Sequence, residues 1–264
     1  MELLRTLDAL WFSRTGRFIS SALSATASLA APTWCVGCGA DHADLCPPCR
    51  ADLRHLTRRP FRAEESAEAL PIVAAPRDAD PVVLPVIAAG RYEKLLADVV
   101  VAFKDHERVG LSQVLAPALV RALAVASAQL LPDGHGVLVH PPGSLKSRLG
   151  RSYEPVPHLL GSMTLPSTLG LVPGPLRYRF SYDVLGALPG RGGQKTKTAQ
   201  ARRRRGQSPL RMTAGAPDLL RGADVLLVDD VLTTGATLAR LYRLLTASGV
   251  RVRGAAVLAA AAPR

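Results

Sequence analysis

Long apolar runs, aromatic rings and acidic residues are scarce in this chain, and cysteine is confined to one short stretch. No apolar stretch reaches the roughly 20 residues a helix needs to cross a bilayer, which predicts a protein without a membrane span. Aromatic residues make up 5% of the chain and none lies in its most basic segment, which argues against gripping single strands by base stacking alone. The shortage of acid is local. No Asp or Glu stands between Asp183 and Asp218, where Arg191, Lys195, Lys197, Arg202, Arg203, Arg204, Arg205 and Arg211 are found. That segment supplies eight of the twelve net positive charges. A field of this kind predicts a polyanionic partner: pyrophosphate, a phosphorylated sugar or nucleic acid.

All the cysteine falls within Cys35-x2-Cys38-x7-Cys46-x2-Cys49. Paired C-x-x-C knuckles bring four thiolates toward a tetrahedral Zn²⁺, and Gly37, Gly39, Pro47 and Pro48 suit the tight bends this needs. Disulfides are the alternative, in any of three pairings, but they require an oxidising compartment that nothing else here supports. A zinc held by four sulfurs has no open position for water, so its role would be structural. So small a module has almost no core, and metal binding would have to stabilise it by on the order of 10 kcal/mol or more. Ahead of it, residues 1–31 read as an amphipathic helical lead-in. Glu2 and Asp8 precede its apolar part, which argues against a secretory signal and predicts a cytoplasmic protein.

The most informative stretch is 225–237, V-L-L-V-D-D-V-L-T-T-G-A-T. The β-branched apolar run 225–228 predicts a strand buried on both faces. Two carboxylates, a Thr/Gly turn and an amphipathic helix over 238–246 follow. In strand-turn-helix units of α/β proteins, ligands sit at the carboxyl end of the strand. Thr233, Thr234, Gly235, Ala236 and Thr237 offer hydroxyls and backbone N–H groups at a helix N-terminus, which suits a dianionic phosphate. Asp229 and Asp230 suit sugar hydroxyls or a bridging Mg²⁺ instead. Phosphate on the turn and diol on the acids describes a ribose 5-phosphate.

The rest of the chain fits around this unit. After the cysteine module (32–56, with a helical turn or two over 50–56), residues 57–81 read as a linker whose 70–75 part suits an edge strand. A main domain over 82–264 then begins with a strand (82–92) and an amphipathic helix (93–103) ending at Lys104. A helix over 111–131, a strand over 136–140 and a helix over 153–163 come next. Strand-like pieces lie at 169–172 and 176–182, and a closing strand at 250–260. The turn after His140 lies at the same sheet edge as the 229–237 segment, with Lys146, Arg148 and Arg151 beside it. His140 itself has no carboxylate partner by sequence and reads better as structural than as a general base. Residues 188–209, rich in Gly, Gln and Arg, are either a hood closing over substrate, a strip tracking a nucleic-acid backbone, or a solvated charged loop.

Taken together, the cysteine knuckles, Ala102-Phe103-Lys104, the basic turn after a V-P-x-P-like strand, the Arg-rich stretch and V-D-D-V-L-T-T-G-A-T resemble the ComF/GntX family. Those are phosphoribosyltransferase-like proteins linked to natural competence and the handling of single-stranded DNA. Their two acids and T-G-x-T-like loop are the motif with which type I phosphoribosyltransferases bind 5-phosphoribosyl 1-diphosphate (PRPP). The resemblance implies an α/β type I phosphoribosyltransferase fold, a mostly parallel sheet flanked by helices, behind a small zinc module. It implies Mg²⁺ bound with PRPP, Asp229 and Asp230 as catalytic acids, residues 233–237 as the 5′-phosphate loop, and Cys35, Cys38, Cys46 and Cys49 as zinc ligands. His140, Lys104, Arg148, Arg151, Lys195 and Lys197 would then face pyrophosphate. The sequence departs from the family's pattern at His140, where a proline is usual, at Ser152, where glycine is usual, and in the hood's missing Gly-Leu pair. Thr233 also stands where purine-base enzymes of the superfamily carry an acid. Two functions are compatible with these residues. One is phosphoribosyl transfer with pyrophosphate release. The other is a non-catalytic module that binds single-stranded DNA through Arg202, Arg203, Arg204 and Arg205, works with DNA-processing proteins, and keeps a nucleotide-phosphate site.

Overall fold

The computed structural model describes residues 34–41, 43–73, 82–143, 153–172, 174–178 and 210–262. The lead-in over 1–31 and the basic stretch over 188–209 lie outside them. In chain order, the cysteine module runs into helix α1 (Pro47–Leu56) and strand β1 (Phe61–Arg62). An antiparallel pair, β2 (Ile72–Val73) and β3 (Val82–Val83), precedes β4 (Val86–Arg91). Helices α2 (Lys94–Asp105) and α3 (Ser112–Leu130) lead to β5 (Gly136–Val139), and α4 (Pro155–Gly161) leads to β6 (Leu169–Leu171). Strands β7 (Leu176–Tyr178) and β8 (Leu210–Met212) form a separate antiparallel ribbon. A short α5 (Ala216–Leu219), β9 (Asp224–Leu232), α6 (Ala236–Ala247) and β10 (Arg251–Ala260) complete the fold.

The main sheet has the order β1-β4-β10-β9-β5-β6 and is parallel throughout, except that β1 runs antiparallel to β4. Alternation along the central strands divides the core in two. Leu226, Val228, Ala256 and Leu258 face α2, α3 and α4, whereas Val225, Leu227, Ala255 and Val257 face α6. Each fully buried leucine or valine contributes about 1.5–3 kcal/mol relative to exposure, so both faces must stay covered. Small residues on β10 allow α3 to lie close. A Cβ at Gly254 would stand 2.6 Å from Leu130 Cδ1 and 2.7 Å from the Pro85 carbonyl.

Residues 109–130 are long and apolar enough, by length and composition, to cross a bilayer, which corrects the expectation that no stretch reaches that length. In this fold they serve as the core helix. Leu115, Ala118, Leu119, Ala122, Leu123 and Ala126 are buried against β4 and β10.

Other boundaries moved for local reasons. The strand read over 82–92 breaks at Leu84-Pro85, because proline has no N–H to give a ladder. The helix read over 153–163 starts at Pro155, whose fixed φ suits a first turn. The edge strand read at 70–75 is β2, paired with β3 rather than with the main sheet. The described part of 176–182 likewise pairs with β8.

The cysteine module packs directly on the sheet domain. Cys35, Leu45, Cys49 and Leu53 share a core with α2 and α3. Arg108 donates to the Asp44 carboxylate and the Trp34 carbonyl, both at 2.6 Å, and Arg121 donates to Thr57. The stretch read as a linker contributes β1, with Phe61 opposite Ala88, and a 3-10 turn at Glu64–Ser66.

Candidate functional site

The path of the chain marks where a ligand belongs. From β5 it moves outward to β6, and from β9 it moves the other way to β10, while β5 and β9 are themselves neighbours. Such a reversal opens a crevice beyond the carboxyl ends of the two strands. Val139 lies opposite Leu227, so the turn starting at His140 and the end of β9 border one cleft.

Asp229 and Asp230 sit within β9, which runs on to Leu232, rather than beyond its end. Asp229 lies opposite Val257 of β10. Backbone N–H groups donate to both carboxylates: Asp230 N to Asp229 Oδ1 at 2.9 Å, and Val231 N to Asp230 Oδ1 at 2.7 Å. Burial, and then the neighbouring Asp230 carboxylate, push Asp229 up to about 8. The cation at the pair is Lys104, from the last turn of α2, whose Nζ stands 2.5 Å from Asp230 Oδ2. Burial works against the Lys104 ammonium, yet Asp230 and then Asp229 hold its pKa above the usual value. Lys104, which the family resemblance directs to pyrophosphate, stands beside the acids in this structure.

Behind Lys104 is an aromatic cluster that sequence reading missed. Tyr153 donates its hydroxyl to the Phe103 carbonyl, and its ring meets the Phe103 ring edge-on at 5.4 Å and the His158 ring at 5.2 Å. Burial lowers the His158 pKa.

Gly235, at φ +79°, is the N-cap of α6. That left-handed conformation favours glycine and turns the chain from strand to helix. The first helical bond is Ala239 N to Gly235 O at 2.9 Å, so the N–H groups of the preceding turn point out of the helix end. Ala236 N reaches only the Thr234 hydroxyl, at 3.4 Å. Thr233, Thr234, Ala236 and Thr237 are exposed, whereas Gly235 is buried. Its covered side faces Ala67 and Leu70, and Ala69 N donates to Thr234 O at 2.9 Å. No local signal at 67–70 announces this contact.

Across the cleft, His140 Nδ1 lies 2.9 Å from its neighbour's carbonyl, Pro141 O. Glu154 packs against Gly143, where a Cβ would collide with its carboxylate. Arg148, Arg151, Lys195, Lys197, Arg202, Arg203, Arg204 and Arg205 lie outside the described residues.

In the cysteine module the four cysteines are free thiols whose sulfurs lie within 4.8 Å of one another. Cys38 and Cys46 Sγ are 3.5 Å apart, and Cys46 N donates to Cys35 Sγ at 3.3 Å. Burial opposes ionisation of Cys35, but N–H donors from Cys46, Cys38 and Gly37 outweigh it and bring the thiol to about 6. The neighbouring Cys46 sulfur, and then burial, push Cys49 up. One thiolate is ready and the next is hindered by its neighbours, a conflict that a dication resolves. This donor set fits a structural zinc.

The family described as Phosphoribosyl transferase domain matches residues 182–264, which contain β9, the two acids, the 233–237 turn, α6 and β10. No curated protein matches the chain. The parallel sheet with helices on both faces is the type I phosphoribosyltransferase fold, preceded by a small four-cysteine module suited to zinc.

Proposed function

We propose that the protein binds PRPP with Mg²⁺ at the carboxyl end of β9 and transfers its phosphoribosyl group to a nitrogen nucleophile. The observation that carries this reading is the continuous run of acid pair, left-handed Gly235 and open helix N-terminus, set at the switch point of the sheet. The 5′-phosphate rests on the N–H groups and hydroxyls of residues 233–237. The ribose diol meets Asp229 and Asp230, which directs the C1 diphosphate toward the turn after His140. These same two acids would hold Mg²⁺ together with PRPP oxygens, and the ion would supply charge to offset that developing on the leaving group.

In the transfer a bond forms between nitrogen and C1 while the bond from C1 to the diphosphate oxygen breaks. Pyrophosphate leaves with the electron pair, and the nitrogen loses its proton. Residues of this chain contribute mostly by positioning and by charge. Lys104 neutralises Asp230 in the free site and lies within the same cleft as the leaving group. No acid stands at position 233 to take the proton, which leaves to solvent or with the departing pyrophosphate.

The pairing of this site with the cysteine module supports a role like that of ComF proteins in DNA uptake, in the cytoplasm. A second reading follows from the acid-free stretch carrying Arg202, Arg203, Arg204 and Arg205: a single-stranded DNA binder that uses the site for a nucleotide phosphate without turnover. Pyrophosphate release, assayed with PRPP, Mg²⁺ and a panel of nucleobases and amines, separates the two. Release abolished by Asp230→Ala supports transfer. PRPP binding without release from any acceptor, with salt-sensitive DNA binding, supports the second reading.

A further inference from the structure

The stretch that joins the cysteine module to the sheet domain forms the outer wall of the phosphate loop. Ala67 and Leu70 are 4% and 8% exposed and share a core with Leu232 and Leu238, the residues flanking the loop. A Cβ at position 235 would stand 2.7 Å from Leu70 Cγ and 3.2 Å from Ala67 Cβ. The positive φ and this wall therefore both demand glycine.

The hydrogen bond from Ala69 N to Thr234 O has a further consequence. Across a trans peptide the carbonyl and the following N–H point in opposite directions. With the Thr234 carbonyl drawn out toward Ala69, the Gly235 N–H is turned inward, toward the open side of the loop where Thr233, Thr234, Ala236 and Thr237 are exposed. A flip of this peptide would aim a carbonyl at the phosphate instead.

We propose that the 67–70 segment is a positioning element for phosphate binding: Ala69 N–H sets the Thr234-Gly235 peptide plane, and Leu70 holds the loop against the site. This rests on the PRPP reading above. It makes the supposed linker a support of the phosphate loop, acting through the loop and not by touching ligand.

The test measures the affinities of ribose 5-phosphate and of inorganic pyrophosphate for the full-length, zinc-loaded protein by calorimetry. Ala69→Pro removes the donor, Ala69→Ser keeps it at an exposed position, and Leu70→Ala removes the wall. Loss of a hydrogen bond to a charged group predicts a roughly 10-fold or greater weakening of ribose 5-phosphate for Ala69→Pro and Leu70→Ala. Ala69→Ser should match wild type. Pyrophosphate, which the loop does not hold, should bind all four proteins alike, an outcome that general loss of structure would not produce. If Ala69→Pro unfolds, Leu70→Ala against Ala69→Ser decides the matter. Unchanged ribose 5-phosphate affinity in a folded Leu70→Ala overturns the proposal, as does an equal loss for both ligands. Failure of wild type itself to bind ribose 5-phosphate would instead overturn the PRPP reading.

Discussion

Replacing Asp229 with asparagine should make the ligand-free protein more stable, increasingly so as pH rises, while removing PRPP binding. Asp229 titrates at about 8 in the folded chain against 3.8 in its ordinary state. Between those values the native state holds its proton more tightly than the unfolded state does. Its contribution to stability is therefore complete below about pH 4 and is lost as pH rises through about 8. From pH 5 to pH 8 the linkage amounts to at most about 4 kcal/mol, at about 1.4 kcal/mol per pH unit. Asp229 keeps partial access to solvent, and screening reduces this to about 2 kcal/mol. Asparagine keeps the shape and carries no charge. Urea denaturation of wild type and Asp229→Asn at pH 5, 7 and 9, in Mg²⁺-free buffer, should show the variant's advantage growing by about that amount. Adding Mg²⁺ and PRPP should stabilise wild type and leave the variant unmoved. A stability difference that stays constant from pH 5 to 9 would mean that Asp229 is not strained by burial and its neighbour.

Three further outcomes follow from the geometry. Cys49→Ser, which removes a sulfur shared between the cysteine cluster and the α2–α3 core, should reduce bound zinc from one equivalent per chain to a small fraction, as read by metal analysis. The midpoint of thermal unfolding should fall with it. Asp44→Ala leaves Arg108 bonded only to the Trp34 carbonyl and should cost about 1–2 kcal/mol in urea unfolding, with pyrophosphate release unchanged. His158, lowered by burial, should make the protein lose stability as pH falls below about 6.5, the ordinary histidine value, because the unfolded chain takes up the proton first. His158→Phe should flatten that acid limb; an identical slope in both proteins would contradict this.

The parts of the site legible in the sequence are those written within a few consecutive residues. The 225–237 stretch encodes strand, acids, turn and helix together, and the paired cysteine knuckles lie close enough for spacing alone to predict convergence. Contacts across long separations were not legible. Nothing local in Lys104 says that it meets Asp230, and nothing in Ala69 says that it binds Thr234; the sheet order brings both together. Hydropathy was also ambiguous around α3, because a helix buried between a sheet and a second helix looks like one made for lipid. Strand boundaries slipped where the pattern ignored hydrogen-bond supply, as at Pro85. The reading of 57–81 as a linker reflected its polar composition. Its buried apolar residues among those described, Ala63, Ala67 and Leu70, are too few to form a visible apolar period.

The central claim is that the end of β9 is a PRPP site. Calorimetric titration of Mg²⁺ and PRPP into zinc-loaded wild type and into Asp229→Ala/Asp230→Ala tests it most directly. One site per chain is expected in wild type, and at least a roughly 100-fold weaker interaction in the double variant, with circular dichroism showing that the variant is folded. No binding to folded wild type, or equal affinity in both proteins, would contradict it.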